Sequence, residues 1–330
     1  MWTQFRRWVD NFTLTLVGVV ILASVLPAQG RGVPFFEGLT VAAIALLFFM
    51  HGAKLSRQAI ISGATHWRLH LVVFGFTFVA FPLLGVLGRP LMEPWLGTPL
   101  TLGMLYLCVL PGTVQSAIAF NSLARGNIPA AICNASASSL IGILATPLLV
   151  MLIMGAQATG EGYNAGEAVL KISLQLLLPF VLGHLARPWI GDWVARNRPW
   201  LSKVDQSSIL LVVYTAFSAS VVGGLWQTVG LGPLLALILA CGVLLALVLV
   251  LTTALARGLG FSKEDEITIV FGASKKSLAT GVPMAQVLFA GSALGPMLLP
   301  IMLFHQIQLI VCAILAQRYA QRPAATEAAN

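Results

Sequence analysis

The chain has 330 residues, of which 58% are hydrophobic and 9% charged, and its mean hydropathy is +0.90. Soluble domains carry about 25% charged residues, so this chain cannot clothe a water-facing surface. A soluble enzyme, a nucleic-acid module, a disordered chain and a single-anchor protein are all excluded. The apolar content fills about nine or ten membrane spans of roughly 20 residues each. The net charge of +8 therefore reads as basic loops that set membrane orientation, not as a surface for nucleic acid.

In chain order the apolar runs predict ten helices, at about 12–28, 34–51, 69–87, 100–124, 128–154, 170–187, 205–226, 231–256, 267–289 and 294–317. They are helices because a backbone facing lipid must satisfy its own hydrogen bonds, and each run is far longer than a barrel strand. Arg6 and Arg7 before the first run resemble the start of a signal peptide, but the many spans that follow make it the first helix. Basic residues test the map. Only Arg31, Arg89 and Lys171 fall on the side opposite the N-terminus, Lys275 and Lys276 fall inside a span, and all other lysines and arginines share the N-terminal side. That bias puts both termini in the cytoplasm and favours an even number of spans.

The longest polar stretch, about 187–208, reads as a cytoplasmic connection. A second polar, Gly-rich segment at 156–169 falls at mid-chain with five spans on either side. The domain reading is a five-helix repeat over 1–155, an extracytoplasmic connector over 156–169, a second repeat over 170–320 and a cytoplasmic tail over 321–330. With an odd number of spans in each half, the halves run in opposite directions, the arrangement of inverted-repeat transporters whose sites lie at the midplane between discontinuous helices. Cys108, Cys133, Cys241 and Cys312 all lie in apolar runs without metal-type spacing and read as small buried hydrophobes.

The fourth span of each half is interrupted. Span four breaks at Pro111-Gly112-Thr113-Val114-Gln115-Ser116, and span nine at Gly272-Ala273-Ser274-Lys275-Lys276-Ser277. Broken helices expose backbone groups that are tolerated only against a cavity or protein partners, and their N-terminal ends favour anions. Lys275 and Lys276 follow the charged run Lys263-Glu264-Asp265-Glu266 by about eight or nine residues, roughly 12–14 Å of helix, which is close to mid-membrane. A lysine there costs at least about 2.5–3.5 kcal/mol, so it is expected to face a cavity or a partner. No carboxylate is predicted inside a span. Each lysine is therefore either neutral part of the time or has an anionic substrate as its counter-ion. Asn134 and Ser138 share a face of span five. The candidate binding residues are Lys275, Lys276, Ser274, Ser277, Thr113, Gln115, Ser116 and Asn134. There is no H-E-x-x-H, G-x-S-x-G or Walker-type motif, so neither an enzyme nor a primary pump is indicated.

The runs Phe81-Pro-Leu-Leu-Gly85, Leu123-Ala-Arg-Gly-Asn127, Ala131-Ile-Cys-Asn134, Thr146-Pro-Leu-Leu149 and Ser274-Lys-Lys-Ser-Leu278 together resemble the bile acid:sodium symporter family, in particular its orphan, cation/proton-antiporter-like branch. The resemblance covers nearly the whole chain. It implies an all-α membrane protein of ten helices in two inverted repeats. A panel domain would come from helices 1, 2, 6 and 7 and a core domain from the rest, with broken helices 4 and 9 crossing near the midplane. It also implies organic-anion substrates moved with sodium. The family's sodium ligands do not carry over: the helix 9 Glu, Gln and Asn align with Val270, Ser274 and Lys275, the helix 3 Gln with Thr77, and the helix 5 Ser and Thr with Ala131 and Ala135. The Ser-Asn of helix 4 has its closest counterpart in Gln115-Ser116. Sodium needs hard oxygen donors, and these positions lack them.

The expected function is thus alternating-access transport of a small or amphipathic organic anion, with a lysine in the place of the family's sodium and a proton as the conceivable coupling ion. No metal or other cofactor is expected, and the partners are the lipid bilayer and the small-molecule substrate. A sodium-coupled symporter and a membrane regulatory protein without turnover are the alternatives. Substrate, stoichiometry and oligomeric state are not legible.

Overall fold

The computed structural model describes residues 11–54, 66–159, 170, 173–289 and 294–322. All regular structure among them is helical: α1 (Asn11–Val25), α2 (Gly32–Lys54), α3 (Trp67–Gly75), α4 (Phe81–Val109), α5 (Gln115–Leu123), α6 (Ile128–Thr159), α7 (Leu178–Arg196), α8 (Arg198–Val222), the short α9 (Leu225–Thr228), α10 (Leu231–Gly258), α11 (Lys263–Ala273), α12 (Leu278–Leu288) and α13 (Leu294–Ala320). Among the described residues, six helical stretches are long and apolar enough to cross a membrane. The outer face of α10 shows why water is not their solvent: Leu235, Leu239, Val243 and Val250 are all exposed, an apolar stripe that belongs against lipid tails.

Several boundaries differ from those read in the sequence. Expected spans three and four are separate stretches joined by a tight reversal, with little chain between them. The helix from Phe81 reverses at Gly97, where the backbone is non-helical (φ 71°, ψ 163°) and only glycine fits without strain, so that Gly85 packs against Cys108 and the two stretches run side by side. The polar stretch 187–208 is nearly all helical, with Asn197 alone between α7 and α8. α6 continues past a kink at Gly155 into the first residues of the expected connector. The rest of that connector lies outside the described residues, as do Arg6, Arg7, Arg57, Lys171, Glu161, Glu167 and the tail beyond Arg322.

Two π-helical turns, Phe76–Ala80 and Ser173–Leu177, are each followed by one residue and then a proline, Pro82 and Pro179. Proline has no N–H and clashes with the carbonyl four residues back, and widening the turn relieves the clash.

The helices pack as two groups. α1, α2, α7 and α8 form one group, and α3 to α6 with α10 to α13 form the other. α8 touches the second group through α12 and α13. The α2–α7 contact is so close that a methyl group on Gly52 would lie 1.9 Å from the Phe180 carbonyl oxygen, and one on Gly183 would lie 1.9 Å from that of Phe49. In the second group the centre is formed by the inner end of α4, buried on all sides from Leu100 to Val109, and by α11 and α12.

Candidate functional site

The break between α4 and α5 starts from local chemistry. Proline disfavours helical backbone in the residue before it, and Leu110, preceding Pro111, is extended at ψ 153°. The last carbonyls of α4 then lack intrahelical donors, and each finds one elsewhere. Val109 O accepts from Thr146 Oγ1 at 2.9 Å, and Pro111 O accepts from the Ser277 N–H at 2.9 Å. Cys108 O and Leu110 O both accept from Lys276 Nζ, at 2.9 and 2.7 Å. Gly112 N–H donates to Ser138 Oγ at 3.0 Å.

The break between α11 and α12 is held from α13. The Gln308 amide, completely buried, pairs with both sides of the Lys276 residue: its Oε1 accepts the Lys276 N–H at 2.9 Å, and its Nε2 donates to the Lys276 carbonyl at 2.9 Å. Ser277 then caps α12, its hydroxyl accepting from Thr280 N–H. At the other end, Ser262 caps α11, whose first turn carries Glu264, Asp265 and Glu266, where negative charge complements the helix dipole. The two breaks touch: a methyl group on Gly112 would lie 3.3 Å from the Gly272 carbonyl oxygen.

Both lysines at the break are wholly enclosed. The Lys276 ammonium donates to three backbone carbonyls, those of Cys108, Leu110 and Thr77, the last at 2.9 Å, and lies 4.1 Å from the centre of the Phe81 ring. Thr77 sits in the first π-turn, where Phe81 N–H has moved to Phe76 O and Pro82 offers no N–H, so its carbonyl is free for the lysine. Three acceptors demand three N–H donors, which only the charged ammonium has. Lys275 Nζ donates to Ser116 O at 2.8 Å, and the rings of Phe120 and Phe271 have their centres at 4.1 and 5.0 Å, within cation–π range. Neither lysine has a carboxylate partner among the described residues. The carboxylates of Asp205 and Glu266 are buried in helices and pair with Lys54 and with Arg257 and Lys263, respectively.

A cavity of about 330 Å³ lies between the two packing groups. Its wall on the second group holds Thr113, Gln115, Ser116, Ser277 and Thr280, so the first turns of α5 and α12 both reach it. Its opposite wall is formed by α1, α2, α7 and α8, with Lys54 and Asp205 at the last turn of α2 and near the start of α8. Four expected site residues therefore line one cavity, while Lys275, Lys276 and Ser274 lie behind its wall. Asn134 is separate: its Nδ2 is 3.1 Å from His70 Nδ1, and it borders a much smaller space beside Gly112, Ser138 and Gly272. The sequence reading did not single out Gln308, the Thr77 carbonyl as a lysine ligand, or the aromatic partners Phe81, Phe120 and Phe271. A signal for Gln308 was present, a glutamine deep in an apolar run. None existed for backbone carbonyls.

Comparison with known proteins bears on what such a site serves. Residues 10–321 match the SBF-like CPA transporter family. The chain is 66% identical to the protein called "Uncharacterized protein PA2026" of Pseudomonas aeruginosa, over 95% of this chain and 93% of that one. It is 62% identical to "Putative symporter YfeH" of Escherichia coli K12, over 96% and 94%. A more distant relative is sodium/bile acid cotransporter 7 of Rattus norvegicus, at 28% over 91% and 90%. The chain is a multi-pass membrane protein and belongs to the SBF-like CPA transporter family, a family of transporters and not of enzymes.

Proposed function

We propose that this protein is a secondary active transporter of a small organic anion, working by alternating access, in which lysine ammonium groups stand where a coupling cation would otherwise bind. The observation that carries the reading is the Lys276 ammonium held by three backbone carbonyls at the meeting of two helix breaks. Carbonyl oxygens from π-turn and helix end are hard donors of the kind that hold sodium; here the positive charge is tethered to the chain.

The anion reading rests on the cavity. Two helix N-termini reach one wall, with Gln115 and Ser116 at the start of α5 and Ser277 capping α12, and partial positive charge collects at such ends. Thr280 Oγ1, on the same wall, is buried and has no hydrogen-bond partner among the described residues. The name of the rat relative, a sodium/bile acid cotransporter, agrees with an organic anion. The volume, about 330 Å³, lies at the lower end of small-molecule sites and favours a compact substrate.

In this reading the ten spans form two inverted five-helix repeats, over 1–155 and 170–320, with both termini cytoplasmic. The group of α1, α2, α7 and α8 is the panel, the larger group is the core, and the two broken spans, the inner end of α4 with α5 and α11 with α12, cross within the core near the midplane. Lys276 stays charged as a fixed cation. Lys275 serves a single carbonyl acceptor, so it can release a proton without orphaning that oxygen, and it is the residue we assign to proton coupling.

The test is uptake of radiolabelled small organic acids into proteoliposomes. Lys275→Ala and Lys276→Ala should each abolish the uptake that the wild-type protein supports. Full uptake by both variants would defeat the assignment.

A further inference from the structure

The panel wall of the cavity carries a carboxylate that the anion reading does not use. Asp205 is 6% exposed. Its Oδ2 accepts from Lys54 Nζ, while its Oδ1 is buried and has no hydrogen-bond partner among the described residues. Asp205 lines the same cavity as Thr280 and the two helix N-termini, from the opposite wall.

A buried acceptor without a donor is rare and unfavourable. An ionised carboxylate accepts only, so what relieves Oδ1 must bring an N–H or O–H group. Lys54 already offsets the charge of Asp205, so the missing partner need not be a full cation, and a hydroxyl suffices. On the core wall the free Thr280 Oγ1 and the helix ends favour the opposite chemistry, an anionic acceptor. Both walls also carry apolar residues, Phe180 and Ile209 on the panel side and Leu278 on the core side.

We propose that Asp205 is a second recognition point, and that the substrate is a small organic acid carrying a hydrogen-bond donor, a hydroxyl or an ammonium, at the end away from its acid group. This rests on the anion reading of the core wall and adds the substrate's other end to it. The acid group engages the core, the donor engages the panel, and a short apolar chain lies between. A site built to receive a donor rejects the analogue that lacks one by a large factor.

The test uses detergent-purified protein and calorimetric titration with straight-chain acids of four to eight carbons. Each is compared with its ω-hydroxy and ω-amino counterparts. At one chain length an ω-substituted acid should bind wild type at least tenfold more tightly than the plain acid. Asp205→Asn, which keeps an oxygen acceptor, should retain part of that preference. Asp205→Leu should erase it while still binding the plain acid, which also shows that the variant is folded. If plain and substituted acids bind alike in wild type, the role of Asp205 is overturned and the anion reading survives. If no acid binds at all, the anion reading falls and this proposal with it.

Discussion

The Ser277 N–H donates to the Pro111 carbonyl across 2.9 Å, so the backbones of the two helix breaks are bonded directly to each other. Anything that shifts Pro111 therefore shifts the capping residue of α12. Gly142 of α6 packs against that proline so closely that a methyl group there would lie 2.5 Å from Pro111 Cβ. Gly142→Ala should cost about 1–3 kcal/mol by overpacking and lower uptake at least tenfold. Gly242→Ala on α10, where nothing lies within 4 Å, is the control and should change neither the melting temperature in detergent nor uptake.

Lys276→Ala removes the donor from three enclosed carbonyls. Each buried acceptor left unpaired costs about 1–3 kcal/mol, so the variant should melt well below wild type. Lys275→Ala frees a single carbonyl, that of Ser116, and the loss of two cation–π contacts adds about 0.5–1 kcal/mol each. Its melting temperature should fall less. Thermal unfolding of the two variants side by side gives the order, and the reverse order would mean that Lys275 is the principal fixed cation.

Gln308 sits on a different helix from the break it holds. Gln308→Leu leaves both the N–H and the C=O of Lys276 without partners, a loss of about 2 kcal/mol or more. Gln308→Glu preserves the acceptor for the N–H and loses the donor, so its stability should fall between the two. Because His305 lines the cavity and its Nδ1 lies 2.9 Å from Gln308 Nε2, both variants should also weaken acid binding.

Much of this molecule is legible in its sequence, and the failures share a cause. Apolar runs predicted membrane helices, since lipid leaves a spanning backbone little choice. Pro111-Gly112 and Lys275-Lys276 marked both breaks because proline and charge are expensive inside such runs. What spacing cannot reveal is where carbonyls go once a helix opens. The Lys276 ammonium could be placed at mid-membrane from the sequence, but its ligands are backbone oxygens that every residue possesses. Nor does spacing reveal that Asp205 is buried, because its burial follows from tertiary contact with Lys54.

Radiosodium binding to the purified wild-type protein tests the account most directly, since it needs no knowledge of the substrate. A chain whose own ammonium groups take the place of a coupling cation, as proposed, should show no saturable sodium binding between the two helix breaks. Saturable sodium binding that persists in wild type at physiological salt, and is unaffected by Lys275→Ala and Lys276→Ala, would contradict it.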